Sequence, residues 1–129
     1  MNILITGGLG HIGSNFINKL ILEKYVRKIF IIDNLSTDRY VSLFNISKKK
    51  IIFLKNNVIS KEFTKKLKLS DIVIHLAAQT DATKSLEHPQ SIYKNNFNST
   101  KFVVDQVCKF KKKLIFISST SVYGPQEKD

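Results

Sequence analysis

Hydrophobic positions along the chain fall into five short runs, at residues 3–5, 28–32, 51–54, 72–75 and 114–117. Each run is rich in β-branched or aromatic side chains and is apolar at consecutive rather than alternate positions, a pattern that suits strands buried on both faces of a parallel sheet. Between the runs the period changes. Over residues 12–25 the apolar positions Ile12, Phe16, Ile17, Leu20 and Ile21 share one helical face. Residues 89–110 form a second long helical candidate, with Pro89 suited to a first turn and an irregular apolar side of Ile92, Phe97, Val103, Val104 and Val107. Shorter helices are expected near residues 38–45 and 60–67. Strands that alternate with helices predict βαβ units with right-handed crossovers. The expected fold is therefore α/β, a doubly wound parallel sheet of about five strands in the order 3-2-1-4-5 with helices on both faces.

At 129 residues there is room for one domain, and 43% hydrophobic residues suffice for a core. After the fifth run the chain ends in a polar stretch, where a doubly wound sheet commonly continues, so the domain is expected to be truncated. No apolar run approaches the roughly 18 residues of a membrane span, and the start lacks the features of an export signal. The single cysteine, Cys108, has no internal partner, which fits a cytoplasmic location. The formal charge of +11 comes almost wholly from lysine. The lysines are scattered apart from Lys48-Lys49-Lys50 and Lys111-Lys112-Lys113, each just before a strand-like run where a turn is expected. No aromatic residues interleave with them as a stacking platform would require, so neither nucleic acid nor membrane is an expected partner. His11, His75, His88 and Cys108 lack metal-ligand spacing, and no metal site is expected.

The sharpest local signal is the segment Gly7-Gly8-Leu9-Gly10-His11-Ile12-Gly13, which follows a strand directly and opens an amphipathic helix. In that context the glycines let the backbone turn tightly and approach a pyrophosphate, and the helix N-terminus offers unpaired N–H groups with a partial positive charge. Asp33 ends the second run, in the place of a carboxylate that accepts hydrogen bonds from an adenosine ribose. It would repel a 2′-phosphate and so favours NAD over NADP, although the nearby Arg39 could accept such a phosphate.

Together these segments resemble the extended short-chain dehydrogenase/reductase family, specifically its NAD-dependent sugar-nucleotide epimerases and dehydratases, which share a Rossmann-type fold. Gly7, Gly10, His11, Ile12 and Gly13 resemble that family's cofactor loop, and Asp33, Asn34, Leu35 and Ser36 its ribose and adenine segment. Asn57 and Val58 stand where the family usually has Asp followed by Ile or Val. Leu76, Ala77 and Ala78 resemble the segment under the pyrophosphate and nicotinamide ribose. Asn95 and Asn96 begin a stretch similar to the family's Asn-x-x-Gly-Thr helix, with Ser99 in place of glycine. Residues 118–124 resemble the catalytic segment, which implies Ser119 as the catalytic hydroxyl against the reacting sugar oxygen. The resemblance also implies bound NAD, a nucleotide-sugar substrate, and a homodimer paired through helices that include residues 89–110.

The family's Tyr-x-x-x-Lys pair is not present. Tyr123 belongs to the Val-Tyr-Gly segment, and Lys128 is five residues from it rather than four. The 129-residue chain is thus expected to hold cofactor without turnover. Thr120 and Ser121 replace the Asp-Glu of the dehydratases and cannot do that proton chemistry near neutral pH, which moves the reading towards an epimerase. Three readings stay open: the NAD-binding portion of a nucleotide-sugar epimerase, a dehydratase or other extended short-chain oxidoreductase, and a nucleotide-binding regulator lacking catalysis.

Overall fold

The computed structural model describes residues 1–37, 39, 41, 48–79 and 89–118. Five strands form one all-parallel sheet: β1 (Asn2–Thr6), β2 (Lys28–Asp33), β3 (Ile51–Lys55), β4 (Ile72–His75) and β5 (Lys113–Phe116), in the order β3-β2-β1-β4-β5. That is the expected order. The reversal of direction between β1 and β4 opens the crevice where doubly wound sheets bind ligands.

Helix α1 (His11–Leu20) covers one face of the sheet, packing Ile17 and Leu20 against Ile3, Ile5, Ile29, Ile31 and Ile74. Helices α2 (Lys61–Lys68) and α4 (Asn98–Lys109) cover the other, where Phe63, Leu67, Val103 and Val107 meet Leu4, Phe30, Ile32 and Val73. Alternate residues of each strand thus feed the two cores, as the pleat requires. Only the central strands are buried on both faces. β3 is half-buried and β5 mostly exposed in this chain. The apolar runs of both predict a strand correctly, and at β3 the run overstates the burial.

The first helix is shorter than its periodicity suggests. It ends at Leu20, and residues 21–25 turn back towards β2 with Leu22 79% exposed. Its buried line is Gly13, Ile17 and Leu20, while Ile12 and Phe16 face outward. The second long candidate divides into α3 (Pro89–Ile92), a π-helical turn (Tyr93–Phe97) and α4. A π turn inserts an extra residue and shifts the helical phase, which accounts for the irregular apolar side: Val103 and Val107 are buried, whereas Phe97 and Val104 are exposed. Of the expected short helices, α2 is present, started by the Ser60 hydroxyl, which accepts from the Phe63 N–H at 3.2 Å. The one expected near 38–45 falls largely outside the described residues.

Parallel topology has a further consequence for charge. Every connection from a helix to the next strand must return to the same end of the sheet, so the lysines that precede strands collect there. Lys24, Arg27 and Lys28 lie before or at the start of β2, Lys49 and Lys50 at that of β3, and Lys111 to Lys113 at that of β5. Lys65, Lys66 and Lys68 close α2 at the same end, where a cation is also favourable to the helix C-terminus. Dispersed in sequence, these residues are gathered in space.

Candidate functional site

At the opposite end, the C-terminal edges of β1, β2 and β4 converge on the glycine loop. Each glycine meets a different requirement. Gly7 has a φ of +65°, and a Cβ there would lie 2.6 Å from the Ala77 backbone, so Gly7 lets the loops after β1 and β4 touch. Gly8 lies under α1, where a Cβ would meet the Ile31 side chain at 2.8 Å. A Cβ on Gly13 would stand 2.6 Å from the Gly8 carbonyl oxygen, so this pair sets the close packing of α1 on its own loop. Gly10 differs. It is the N-cap of α1, with φ −64° and ψ 173°, and a Cβ there would meet only the Gly7 oxygen, at an ordinary 3.4 Å. Among the described residues nothing demands glycine at position 10. The N-cap Gly10 offers no capping side chain and no acid stands in the first turn of α1, so, with His11 and Ile12 exposed, the partial positive charge of the helix end is available to an anion. A smooth, uncapped, electropositive cradle fits an anionic diphosphate.

Asp33 ends β2 beside this cradle. One carboxylate oxygen accepts from the Leu9 N–H at 3.0 Å and the other from the Leu35 N–H at 2.9 Å. The carboxylate thus joins the glycine loop to the turn after β2 and retains acceptor capacity on both oxygens. Leu35 adopts a left-handed φ of 61°, a conformation a leucine holds only when its surroundings enforce it. Asn34 continues the turn, accepting from the Ser36 N–H at 3.0 Å and donating to Asn57 Oδ1 at 3.1 Å. Asn57 and Val58 follow β3, with Asn57 exposed and Val58 packed on the core. Asp33, Asn34, Leu35, Ser36 and Asn57 therefore form one hydrogen-bonded rim.

On the other side of the crevice, Leu76 and Ala77 are half-buried and Ala78 is exposed after β4. The π turn presents Asn96 to this loop. Its side chain accepts from the Gln79 N–H at 2.7 Å and donates to the Gln79 carbonyl at 2.9 Å, while Asn95 donates to the Gln79 side chain at 2.9 Å. Ser99 donates its hydroxyl to the carbonyl of Asn95 and, at 3.2 Å, to that of Asn96, satisfying acceptors within the π turn. Beneath the loop, His75 is buried between two hydroxyls: Nδ1 lies 2.6 Å from Thr6 Oγ1 and Nε2 3.1 Å from Thr100 Oγ1. Burial lowers its pKa from 6.5 to about 4, so it is neutral at pH 7 and acts as a tie between β1, β4 and α4.

The sequence model of the NAD dependent epimerase/dehydratase family matches residues 3–129. The chain belongs to that family. It is 36% identical to a UDP-glucose 4-epimerase of Yersinia enterocolitica, over 98% of this chain and 39% of that protein. Among solved structures it resembles the UDP-N-acetylglucosamine 4-epimerase of Methanobrevibacter ruminantium, in complex with UDP-N-acetylmuramic acid (TM-score 0.86, 34% identity, 95% of this chain and 39% of that one). It also resembles a UDP-glucuronic acid 4-epimerase of Bacillus cereus solved with NAD (TM-score 0.88, 26% identity, 99% of this chain and 43% of that one). The chain spans about two fifths of the length of these epimerases.

Within this epimerase/dehydratase-family chain, the residues expected to hold a cofactor lie at one end of the sheet. Ser119, Tyr123 and Lys128 lie outside the described residues. Two working parts escaped sequence reasoning. Gln79 is the partner of both Asn95 and Asn96, and the chain Thr6–His75–Thr100 joins three elements. Their signal was in the motifs themselves, since Thr6 adjoins the glycine loop and Thr100 ends the Asn-rich stretch, but pairing across 69 and 25 positions is set by sheet register. Among the described residues no group of three His, Cys, Asp or Glu could hold a metal.

Proposed function

We propose that this chain is the NAD-binding portion of a nucleotide-sugar epimerase. The observation that carries the reading is the first turn of α1, open at the N-cap Gly10, whose described neighbours leave room for a side chain, with Asp33 bonded to the same loop. Gly10, His11, Ile12 and Gly13 would hold the pyrophosphate, with Gly7 allowing the two loops to close around it. Asp33 would accept from the adenosine ribose, while Asn34, Leu35, Ser36, Asn57 and Val58 would border the adenine. Leu76, Ala77 and Ala78 would line the nicotinamide side, in a loop that Asn95 and Asn96 hold through Gln79. Bound there, NAD supplies the hydride acceptor for transient oxidation of a sugar hydroxyl. Ser119 is assigned to hydrogen-bond the reacting sugar oxygen. Thr120 and Ser121 in place of an Asp-Glu pair support epimerisation over dehydration. A single exposed thiol, Cys108, supports a cytoplasmic setting.

Calorimetric titration with NAD and NADP tests the cofactor assignment. NAD should bind, NADP at least about tenfold more weakly, and Asp33→Ala should weaken NAD by roughly 10- to 100-fold, the loss expected when a charged hydrogen-bond acceptor is removed. Equal affinity for the two dinucleotides, or an indifferent Asp33→Ala, overturns the ribose assignment.

We also assign a homodimer to the outer side of the segment 89–110. Tyr93 and Phe97 are 61% and 51% exposed with their rings stacked 4.9 Å apart, and Val104 is exposed on the same helical segment. Exposed aromatics arranged along a helix are interface anchors. Sedimentation velocity should show a dimer that Phe97→Glu converts to monomer; a monomeric parent protein rejects the assignment.

A further inference from the structure

The end of the sheet opposite the glycine loop is a second organised surface. Four large apolar side chains stand exposed there: Leu22 (79%), Tyr25 (56%), Leu69 (56%) and Met1 (41%). Hydrogen bonds hold them beside one another. The Met1 ammonium donates to the Tyr25 carbonyl, the Arg27 N–H donates to the Met1 carbonyl at 2.8 Å, and the Asn2 side chain donates to the Leu69 carbonyl at 2.8 Å. Lys50 braces the turn after α1 through the carbonyls of Ile21 and Glu23, at 2.8 and 2.9 Å. These turns therefore form a braced platform rather than independent loops.

The cations collected by the topology surround it. Arg27, Lys28 and Lys66 border a groove of about 560 Å³ whose apolar lining is Phe30, Ile52 and Leu69. Lys66 Nζ lies 5.3 Å from the centre of the Phe30 ring. Among the described residues none of these three cations has an ion pair. Among the described residues the acids in the connections at this end are Glu23 and Asp71, and Asp71 already accepts from the Asn2 N–H at 2.6 Å.

We propose that this end docks on an anionic phospholipid surface, with the groove taking a lipid phosphate headgroup. Charge complementarity supplies the attraction, since each Lys or Arg near an anionic bilayer adds a favourable increment. The protruding side chains select a bilayer over other polyanions. Met1, Leu22 and Leu69 are not aromatic and cannot stack on bases, whereas aliphatic and aromatic tips in a lysine-rich surround are what a membrane interface accepts. No helix among the described residues is long and apolar enough to cross a membrane, and the contact proposed is with the bilayer surface. It leaves the glycine loop, at the other end of the strands, facing away from the lipid. The proposal is independent of the dinucleotide assignment.

The protein contains no tryptophan, so Tyr25→Trp provides a single reporter. With vesicles of equal parts phosphatidylglycerol and phosphatidylcholine, its emission should shift to the blue and be quenched by brominated lipid. With phosphatidylcholine alone neither should occur, and Tyr93→Trp should respond to neither vesicle. The triple variant Arg27→Gln, Lys28→Gln, Lys66→Gln should weaken vesicle binding on the order of 100-fold, as three interfacial charges imply. The variant Lys55→Gln, Lys61→Gln, Lys94→Gln removes the same charge elsewhere and should change binding less than about twofold. A silent Tyr25→Trp on anionic vesicles overturns the proposal. Equal losses in the two triple variants do so as well, because the attraction would then be one of net charge. Tight binding of soluble glycerol phosphate or of an acidic peptide without any vesicle response would reassign the groove to that ligand.

Discussion

Gly7→Ala is expected to lower the stability of the protein by about 3 kcal/mol or more, while Gly10→Ala, three residues away in the same loop, leaves stability within about 0.5 kcal/mol and abolishes tight NAD binding. The difference follows from what surrounds each position. At Gly7 an alanine would have to hold φ +65°, which costs roughly 1–2 kcal/mol for a residue with a Cβ. That Cβ would also press on the Ala77 backbone at 2.6 Å. Backbone cannot rotate away as a side chain can, so the loop after β4 must move and strain is added to the conformational term. At Gly10 the backbone is extended, a region open to any residue, and the nearest atom to a new Cβ is 3.4 Å away. The methyl group would instead point into the cradle at the mouth of α1 and keep a diphosphate from the first-turn amides. Urea denaturation of both variants together with NAD calorimetry checks this. An unchanged NAD affinity in Gly10→Ala would place the diphosphate elsewhere, and a stable Gly7→Ala would show that the contact between the two loops is soft.

Acidification should destabilise the fold by about 3 kcal/mol through His75 alone. The folded-state pKa is depressed to about 4 from an ordinary 6.5 because the imidazole is buried. Above pH 6.5 the ring is neutral in both the folded and the unfolded chain, and its contribution is fully present. Between pH 6.5 and about 4 the unfolded chain takes up a proton that the folded chain refuses, so stability declines throughout that window. Below about pH 4 both states are protonated and the loss is complete. At 1.36 kcal/mol per pH unit the separation amounts to about 3 kcal/mol, a substantial part of the stability of a typical domain. Denaturant midpoints measured across this range should trace the decline, and His75→Gln should flatten it while lowering stability at pH 7. If the parent protein and His75→Gln show parallel pH profiles, His75 is not the responsible group.

Both experiments separate groups that the family motifs present together. In the motif the glycines are equivalent letters, whereas in the fold a Cβ on Gly7 or Gly13 would press on backbone at 2.6 Å and one on Gly10 would meet only the Gly7 oxygen at 3.4 Å. His75 likewise ends a buried strand, where a structural histidine is expected, and the fold supplies the two hydroxyls, Thr6 and Thr100, that make it a buried tie.

The sequence by itself determined the element types, the parallel sheet with its strand order, and the placement of the glycine loop and Asp33 at the sheet's C-terminal edge. These rest on local properties: consecutive β-branched residues make buried strands, glycines open tight turns, and right-handed crossovers leave few topologies. Other features were decided only by tertiary structure, because they depend on register between distant segments. The π turn that aims Asn96 at Gln79 and the hydroxyl pair around His75 are of this kind. The gathering of the lysines is the largest example. Along the chain they look dispersed, but a parallel sheet returns every helix-to-strand connection to one end, and a charge pattern with a period of one βαβ unit becomes a single basic surface.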